Sequence, residues 1–142
     1  MTEKIKTVML IDDEEIDQRN YKRILNRSGC VENIISFNYA DEALTFLKEN
    51  PGQNIDVIFL DINMPRMNGF EFIEEATQEL GADFARMVVV MLTTSINPSD
   101  RQRAQANPVV RAFLEKPMVM DHIGFVAGLL NDVDAGNDTP TS

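Results

Sequence analysis

Four short apolar runs in this chain each lead directly into polar side chains that can bind a cation or an oxyanion. These side chains are, in order, Asp12-Asp13, Asp61, Thr93-Thr94 and Glu115-Lys116. If the runs are parallel strands, their carboxyl ends lie along one edge of a sheet, where open α/β sheets bind ligands. Carboxylates, hydroxyls and an ammonium group would then converge on one small site.

The three aspartates of this set predict a metal site. Carboxylates held close together repel one another unless a cation neutralises them. An all-oxygen cluster of Asp12, Asp13 and Asp61 suits a hard divalent ion such as Mg2+, which binds through a few carboxylates and leaves positions for water or phosphate oxygens. Asp12 and Asp13 adjoin each other, which suits two ligands of one metal, direct or through water.

Asp61 is the candidate nucleophile, because an aspartate carboxylate can accept a phosphoryl group as an aspartyl-phosphate. It follows the most continuous apolar run, Ile55 to Leu60, so we expect a buried strand to hold it rigidly. Lys116 would neutralise phosphoryl oxygens as a point charge, and Thr93 would donate its hydroxyl to the same oxygens. Phosphoryl transfer needs mainly such positioning and charge stabilisation, so the expected chemistry is phosphoryl acceptance by Asp61.

Short apolar runs alternate with segments of helical periodicity, a pattern typical of repeated β-α units around a mostly parallel sheet. The sequence therefore predicts a doubly wound α/β fold with a short second strand over residues 34–37. Five helices are expected: from Glu14-Glu15 to Ser28-Gly29, from Ala40 to Asn50, from Phe70 to Leu80, a polar helix from Ser95 to Ala106, and a last helix around Ile123 to Leu130.

Length and composition bound the other possibilities. With 142 residues, 44% of them hydrophobic, the chain can build one core, and we expect a single domain over residues 5–130. Residues 131–142 offer little to bury and predict a disordered acidic tail. A net charge of -10, from 13 Lys+Arg against 23 Asp+Glu, argues against direct nucleic-acid binding.

The lone cysteine, Cys30, cannot form an intrachain disulfide, and the apolar runs are too short for a signal peptide or a membrane span. These features predict a cytoplasmic protein without a membrane partner.

Four motifs, in this order and spacing, resemble the response regulator receiver domain of two-component and chemotaxis signalling. They are Asp12-Asp13 after a hydrophobic run, Asp61 followed by Met64-Pro65, Met67 and Gly69, the Leu92-Thr93-Thr94-Ser95 segment, and Lys116-Pro117. The resemblance implies a flavodoxin-like, five-stranded parallel sheet of strand order 2-1-3-4-5, with helices on both faces. Each motif alone is weak, and their combination carries the resemblance.

The resemblance also implies roles for individual residues. Asp61 would be the phosphoacceptor and would bind Mg2+ directly together with Asp13. Asp12 would act more often through water, and the backbone carbonyl of Asn63 would complete the metal ligands. Thr94 is a candidate cofactor-binding residue beside them.

Activation of such a domain would use Thr93 as the switch hydroxyl, Lys116 as the counter-ion of the phosphoryl group and Phe113 as the aromatic switch residue. Phe113 is equally consistent with core packing. The implied partners are a sensor histidine kinase or a histidine phosphotransfer protein and, since no output domain is evident, a separate downstream effector protein. Enzymatic activity beyond self-phosphorylation and self-dephosphorylation is not expected.

Three alternatives remain. The first is a pseudo-receiver, a protein-binding module that signals without phosphate. The second is a hydrolase with an aspartate nucleophile, although that class usually has a second aspartate two residues on, where this chain has Asn63. The third is a flavin-binding protein, although Asp12-Asp13-Glu14-Glu15 would repel a flavin phosphate after the first strand.

Overall fold

A computed structural model describes residues 5–94 and 97–138. The strands in these residues are β1 (Ile5–Ile11), β2 (Val31–Phe37), β3 (Val57–Asp61), β4 (Val88–Thr93) and β5 (Val110–Glu115). The helices are α1 (Glu15–Ser28), α2 (Ala40–Glu49), α3 (Gly69–Leu80), α4 (Ala82–Ala85), α5 (Pro98–Ala106) and α6 (Met120–Asp138). None of the helices described is long and apolar enough to cross a membrane.

The strands form one sheet of order β2-β1-β3-β4-β5, and each neighbouring pair is parallel. This confirms the predicted fold class and strand order. Every residue of β3 and β4 is buried, as expected for central strands covered by helices on both faces. Because the strands are parallel, their carboxyl ends share one edge.

Side chains of the central strands alternate between two hydrophobic clusters, one on each face of the sheet. In β1, Met9 and Ile11 join the cluster under α2, α3 and α5, whereas Val8 and Leu10 join the cluster under α1 and α6. This alternation follows from the two-residue period of a strand. The apolar runs of the sequence are thus continuous because both faces need hydrophobic residues.

Helix ends agree with the signals in the sequence. Gly29, after α1, has a left-handed φ of 69°, and its N–H donates to the carbonyl of Asn26. Before α3, Asn68 and Glu71 form a reciprocal capping box. The side chain of Asn97 caps α5 by accepting from the N–H of Ser99 at 2.9 Å.

Some boundaries differ from the sequence predictions. The helix α4 has four residues, too few for a periodic pattern, and was not expected. β2 begins at Val31, three residues before the predicted strand. The described part of the polar helix begins at Pro98, and residues 95 and 96, including Ser95, lie outside the described residues. The last helix continues to Asp138, through residues expected in the tail, and residues 139–142 lie outside the described part.

Candidate functional site

The residues singled out in the sequence follow the carboxyl ends of adjacent strands. Ile11 pairs with Leu60, so Asp12, which follows β1, lies beside Asp61, the last residue of β3. At the other side, the N–H of Lys116 donates to the carbonyl of Thr93 at 2.9 Å, which joins the end of β5 to the end of β4. The sheet therefore brings the predicted acidic and basic residues to one edge.

Asp12, Asp13 and Asp61 form an acidic cluster. One carboxylate oxygen from each lies within 4.8 Å of the other two. Asp12 is fully buried, Asp61 is 6% exposed and Asp13 is half-buried. Three hard oxygen donors with access from solvent on one side match what a small divalent cation such as Mg2+ requires. The donor set therefore fits the predicted metal.

Asp12 is held by a network of hydrogen bonds. Its Oδ1 accepts from the N–H of Glu14 at 2.9 Å, and its Oδ2 accepts from the hydroxyl of Tyr21 at 2.5 Å. The side-chain amide of Gln18 donates to the carbonyls of Asp12 and Phe37, at 2.9 and 3.0 Å. Burial and the neighbouring Asp12 charge raise the pKa of Tyr21 above its ordinary value, so its hydroxyl remains a donor.

Lys116 contacts three carboxylates. Its Nζ lies 2.8 Å from Oδ2 of Asp12, 2.8 Å from Oδ2 of Asp17 and 3.3 Å from Oδ1 of Asp61. The lysine side chain is only 5% exposed. Burial alone would lower the pKa of Lys116, but the hydrogen bonds to Asp12 and Asp17 and the charge of Asp61 outweigh it, and the pKa is raised. The ammonium group is therefore charged at neutral pH.

Asp61 carries an elevated proton affinity. Burial and the charge of Asp12 raise the pKa of Asp61 to about 7, although Lys116 opposes the shift. Asp61 must be a charged carboxylate to bind a metal or to act as a nucleophile. In the metal-free protein, forming this charged state costs free energy. A divalent cation at the acidic cluster would displace the proton, because metal ligands must be deprotonated.

A surface cavity opens over Asp61 and Lys116. Its other lining residues are Glu14, Ile16, Asp17, Asn63 and Thr94. The exposed Asn63 and Thr94 thus border the same space as the acidic cluster, where the sequence placed them. Their binding roles stay predictions.

The loop after Asp61 is fixed by close backbone packing. A Cβ on Gly69 would lie 2.5 Å from the carbonyl oxygen of Asp61, a distance that no real Cβ tolerates. The N–H of Gly69 donates to the carbonyl of Ile62 at 2.9 Å. Arg66, at φ 73°, ties the loop to α2 through an ion pair with Asp41 at 2.6 Å. The loop that presents Asn63 is therefore anchored on both sides.

The two candidate switch residues lie in different environments. Thr93 is 1% exposed at the end of β4. Phe113 lies on β5 opposite Met91 and packs partly buried against the cluster that contains Ala104 of α5, with the Arg101 guanidinium 5.4 Å from its ring centroid. Phe113 does not line the cavity over Asp61 but belongs to the α5–β5 face. The core and switch interpretations of Phe113 both fit this placement.

The part that α1 plays at the site was not predicted from the sequence. Asp17 contacts Lys116, and Tyr21 contacts Asp12. These two residues are four apart and so lie on one face of the helix. Asp13, Asp17 and Tyr21 are spaced four residues apart along the sequence. This helical spacing is the signal that could have predicted Asp17 and Tyr21 near the acidic cluster.

A family model of the response regulator receiver domain matches residues 8–124. The chain belongs to this family. Receiver domains act in two-component signalling, receive phosphoryl groups from histidine kinases and are phosphoacceptors rather than classical enzymes. The geometry above is therefore that of a receiver domain with an acidic cluster.

Similar proteins agree with this assignment. A solved two-component response regulator from Cytophaga hutchinsonii is 29% identical with a TM-score of 0.86, over 91% of this chain and 98% of that one. Response regulator Rcp1 from Synechocystis sp. is 32% identical over 67% of this chain and 66% of its own length. A crystal structure of the Mn(2+)-bound form of Rcp1 superimposes with a TM-score of 0.68 at 28% identity, over 87% of this chain and 91% of that one.

The chain also matches a part of larger proteins. The autoinducer 1 sensor kinase/phosphatase LuxN of Vibrio campbellii is 29% identical over 86% of this chain, but the match spans only 13% of LuxN. Receiver domains of this sequence type thus occur within kinases as well as in proteins of similar size to this chain.

Proposed function

We propose that this receiver domain accepts a phosphoryl group on Asp61 from a histidine kinase or a histidine phosphotransfer protein. The observation that carries the proposal is the convergence of Asp12, Asp13, Asp61 and the Lys116 ammonium group at one sheet edge, where a cavity opens to solvent. This arrangement supplies a nucleophile, ligands for a cation and a fixed positive charge, which are the components that phosphoryl transfer requires.

In the proposed reaction, a carboxylate oxygen of Asp61 attacks the phosphorus atom of the donor. The bond from phosphorus to the donor breaks, and the donor leaves with the electron pair. Lys116, 3.3 Å from Oδ1 of Asp61, neutralises negative charge on the transferred group. The buried Asp12 is held by Tyr21, so it orients Lys116 and does not compete as a nucleophile.

Asp12, Asp13, Asp61 and the carbonyl of Asn63 would hold Mg2+. Mg2+ at this position supplies charge neutralisation for the carboxylates and the phosphoryl oxygens. The donor chemistry of the cluster supports this assignment. Thr94, exposed at the rim of the same cavity, would contact the bound phosphoryl group.

We further propose that the phosphorylated state changes the α5–β5 face, where a separate effector protein docks. Thr93 lies at the end of β4 next to the site, and Phe113 lies two residues before Glu115, the residue of β5 that pairs with Thr93. A movement of the Thr93 hydroxyl towards the phosphoryl group would therefore be transmitted to the neighbouring residues of β5. The partly buried ring of Phe113 is placed to respond to the change.

Phosphorylation with a small donor tests the proposed function. The protein is incubated with acetyl phosphate with and without Mg2+, and the intact mass is recorded. We expect the mass of one phosphoryl group to appear only with Mg2+ and to be absent in Asp61→Asn. Asp121→Asn, which removes an exposed carboxylate in the first turn of α6, is the matched control and should be modified like the wild type.

The pseudo-receiver is the competing function. It keeps the same fold and family membership but needs no phosphate. Absence of any mass increase with acetyl phosphate, phosphoramidate and a panel of phosphorylated histidine kinases would favour it over the phosphoacceptor.

A further inference from the structure

Asp17 places a further carboxylate at the site, on α1 and outside the acidic cluster. Its Oδ2 lies 2.8 Å from Nζ of Lys116, and its side chain is 26% exposed on the wall of the cavity over Asp61. The contact joins residues 99 positions apart and so exists only in the folded domain. The acidic cluster, Asp17 and the exposed Glu14 on the cavity wall thus share the site with one ammonium group, and one divalent cation would still leave an excess of negative charge.

Lys116 is surrounded by carboxylates, and its contact with Asp17 is a hydrogen bond. An ammonium group has three N–H donors, and three carboxylates lie within 3.3 Å of Nζ. Its contact with Asp12 is buried and further fixed by Tyr21. Its contact with Asp17 lies at the rim of the cavity, where an incoming phosphoryl group must enter.

We propose that Asp17 is a positioning residue that restrains phosphorylation by competing with the phosphoryl group for Lys116. This inference rests on the proposed function of Asp61. Two oxygens that lie 2.8 and 3.3 Å from the same nitrogen are at most about 6 Å apart, so the Asp17 charge is close to the acceptor oxygen. The charge repels an anionic donor and holds the ammonium group that would otherwise attract the donor.

The chemical step shows where this competition acts. When Asp61 attacks acetyl phosphate, a P–O bond to Asp61 forms, the P–O bond to acetate breaks, and acetate leaves with the electron pair. The esterified Asp61 oxygen loses its charge, and the phosphoryl group brings two negative charges to the cavity. Lys116 must then turn its donors outward to the phosphoryl oxygens, which weakens its contact with Asp17.

The test compares the rates at which acetyl phosphate modifies the wild type, Asp17→Asn, Asp17→Glu and Glu15→Gln at saturating Mg2+. We expect Asp17→Asn to be faster by roughly two- to fivefold, the factor that a partly exposed charge pair contributes. Asp17→Glu keeps the charge and should stay near the wild-type rate. Glu15→Gln removes the same charge from the same helix at a side chain that is 76% exposed and pairs with Arg19, so its rate should not change.

The dependence on donor charge separates this role from a structural one. The ratio of the Asp17→Asn rate to the wild-type rate should be smaller with phosphoramidate, which carries less negative charge at neutral pH, and should fall as salt rises. An Asp17→Asn rate equal to or below that of the wild type, or an equal gain in Glu15→Gln, overturns the proposal while leaving Asp61 as the acceptor. Failure of every donor to modify the wild type instead removes the proposed function, and the role of Asp17 with it.

Discussion

Asp61 is the residue whose protonation decides what the site can bind. Its pKa is raised to about 7 by burial and by Asp12, so the proton is bound more tightly in the folded than in the unfolded chain. A raised carboxyl pKa stabilises the fold below the unfolded value of about 4, and this contribution is lost as pH rises through about 7. The metal-free protein thus carries a destabilising carboxylate at neutral pH.

Asp61→Asn should therefore stabilise the metal-free protein more at pH 8 than at pH 5. The amide is neutral at both values, so the difference in Tm between the variant and the wild type isolates the Asp61 contribution. We expect this difference to grow by on the order of 5 °C over that range, measured by calorimetry with a chelator present. A difference that stays constant or shrinks with pH contradicts the elevated pKa.

Tyr21 is the second residue with a measurable role, because its hydroxyl is a buried donor to Asp12. Tyr21→Phe leaves Oδ2 of Asp12 without this donor and should lower the free energy of unfolding by roughly 1–3 kcal/mol, measured in urea. Tyr39→Phe is the control, because its ring retains the contact with the Arg66 guanidinium, 4.1 Å from the ring centroid. Equal effects of the two substitutions would argue against the Tyr21–Asp12 hydrogen bond.

The sheet edge was predictable because four strands, β1, β3, β4 and β5, contain an apolar run that leads directly into polar residues. β3 and β4 are buried on both faces, so apolar and polar residues do not alternate along them, and the polar residue at the end of each strand is easy to recognise. The contact of α1 with the site was not predictable in the same way. The ion pair between Asp17 and Lys116 depends on how α1 packs against the connection that follows β5, which a local pattern does not contain.

At the level of the β3–α3 connection, Gly69 decides how closely the helix approaches Asp61. Gly69→Ala should destabilise the domain by roughly 1–3 kcal/mol in urea denaturation, despite the better helix propensity of alanine, because the new Cβ meets the Asp61 carbonyl. It should also slow phosphorylation, since the backbone of the acceptor must shift.

Gly124→Ala is the matched control for this substitution. Gly124 lies in α6, and a Cβ added there would have open space for 4 Å around it within the described part of the chain. Alanine at this position should therefore stabilise the protein by about 1 kcal/mol. If both substitutions stabilise the domain, the close approach of Gly69 to Asp61 is refuted.

On the scale of the whole molecule, a net charge of -10 means that any cation in solution stabilises the fold by screening the repulsion between carboxylates. Stabilisation by specific Mg2+ binding must therefore be separated from this general effect of salt. Mg2+ at about a hundredfold its Kd should stabilise the fold by about 2.7 kcal/mol and raise Tm by roughly 5–10 °C. Asp13→Asn should reduce this rise, whereas NaCl of equal ionic strength should not reproduce it. A rise that NaCl matches would mean that the acidic cluster binds no specific cation.

The fold class and the membership of the acidic cluster were accessible from the sequence, because they depend on runs of hydrophobic residues and the residues that end them. The strand order was predicted only through the resemblance to receiver domains. The four-residue α4 and the reach of α6 to Asp138 were not, since neither has a strong periodic or capping signal. The elevated pKa of Asp61 required the structure, because burial and the distance to Asp12 determine it.

Chemical mapping of the phosphorylated residue tests the central claim most directly. The protein is treated with acetyl phosphate and Mg2+, the acyl phosphate is reduced with borohydride, which converts the modified aspartate to homoserine, and the peptides are sequenced by mass spectrometry. We expect homoserine at position 61 and aspartate at positions 12, 13 and 17. Homoserine at any of those three positions, or none anywhere in a protein that remains folded, would contradict Asp61 as the phosphoacceptor.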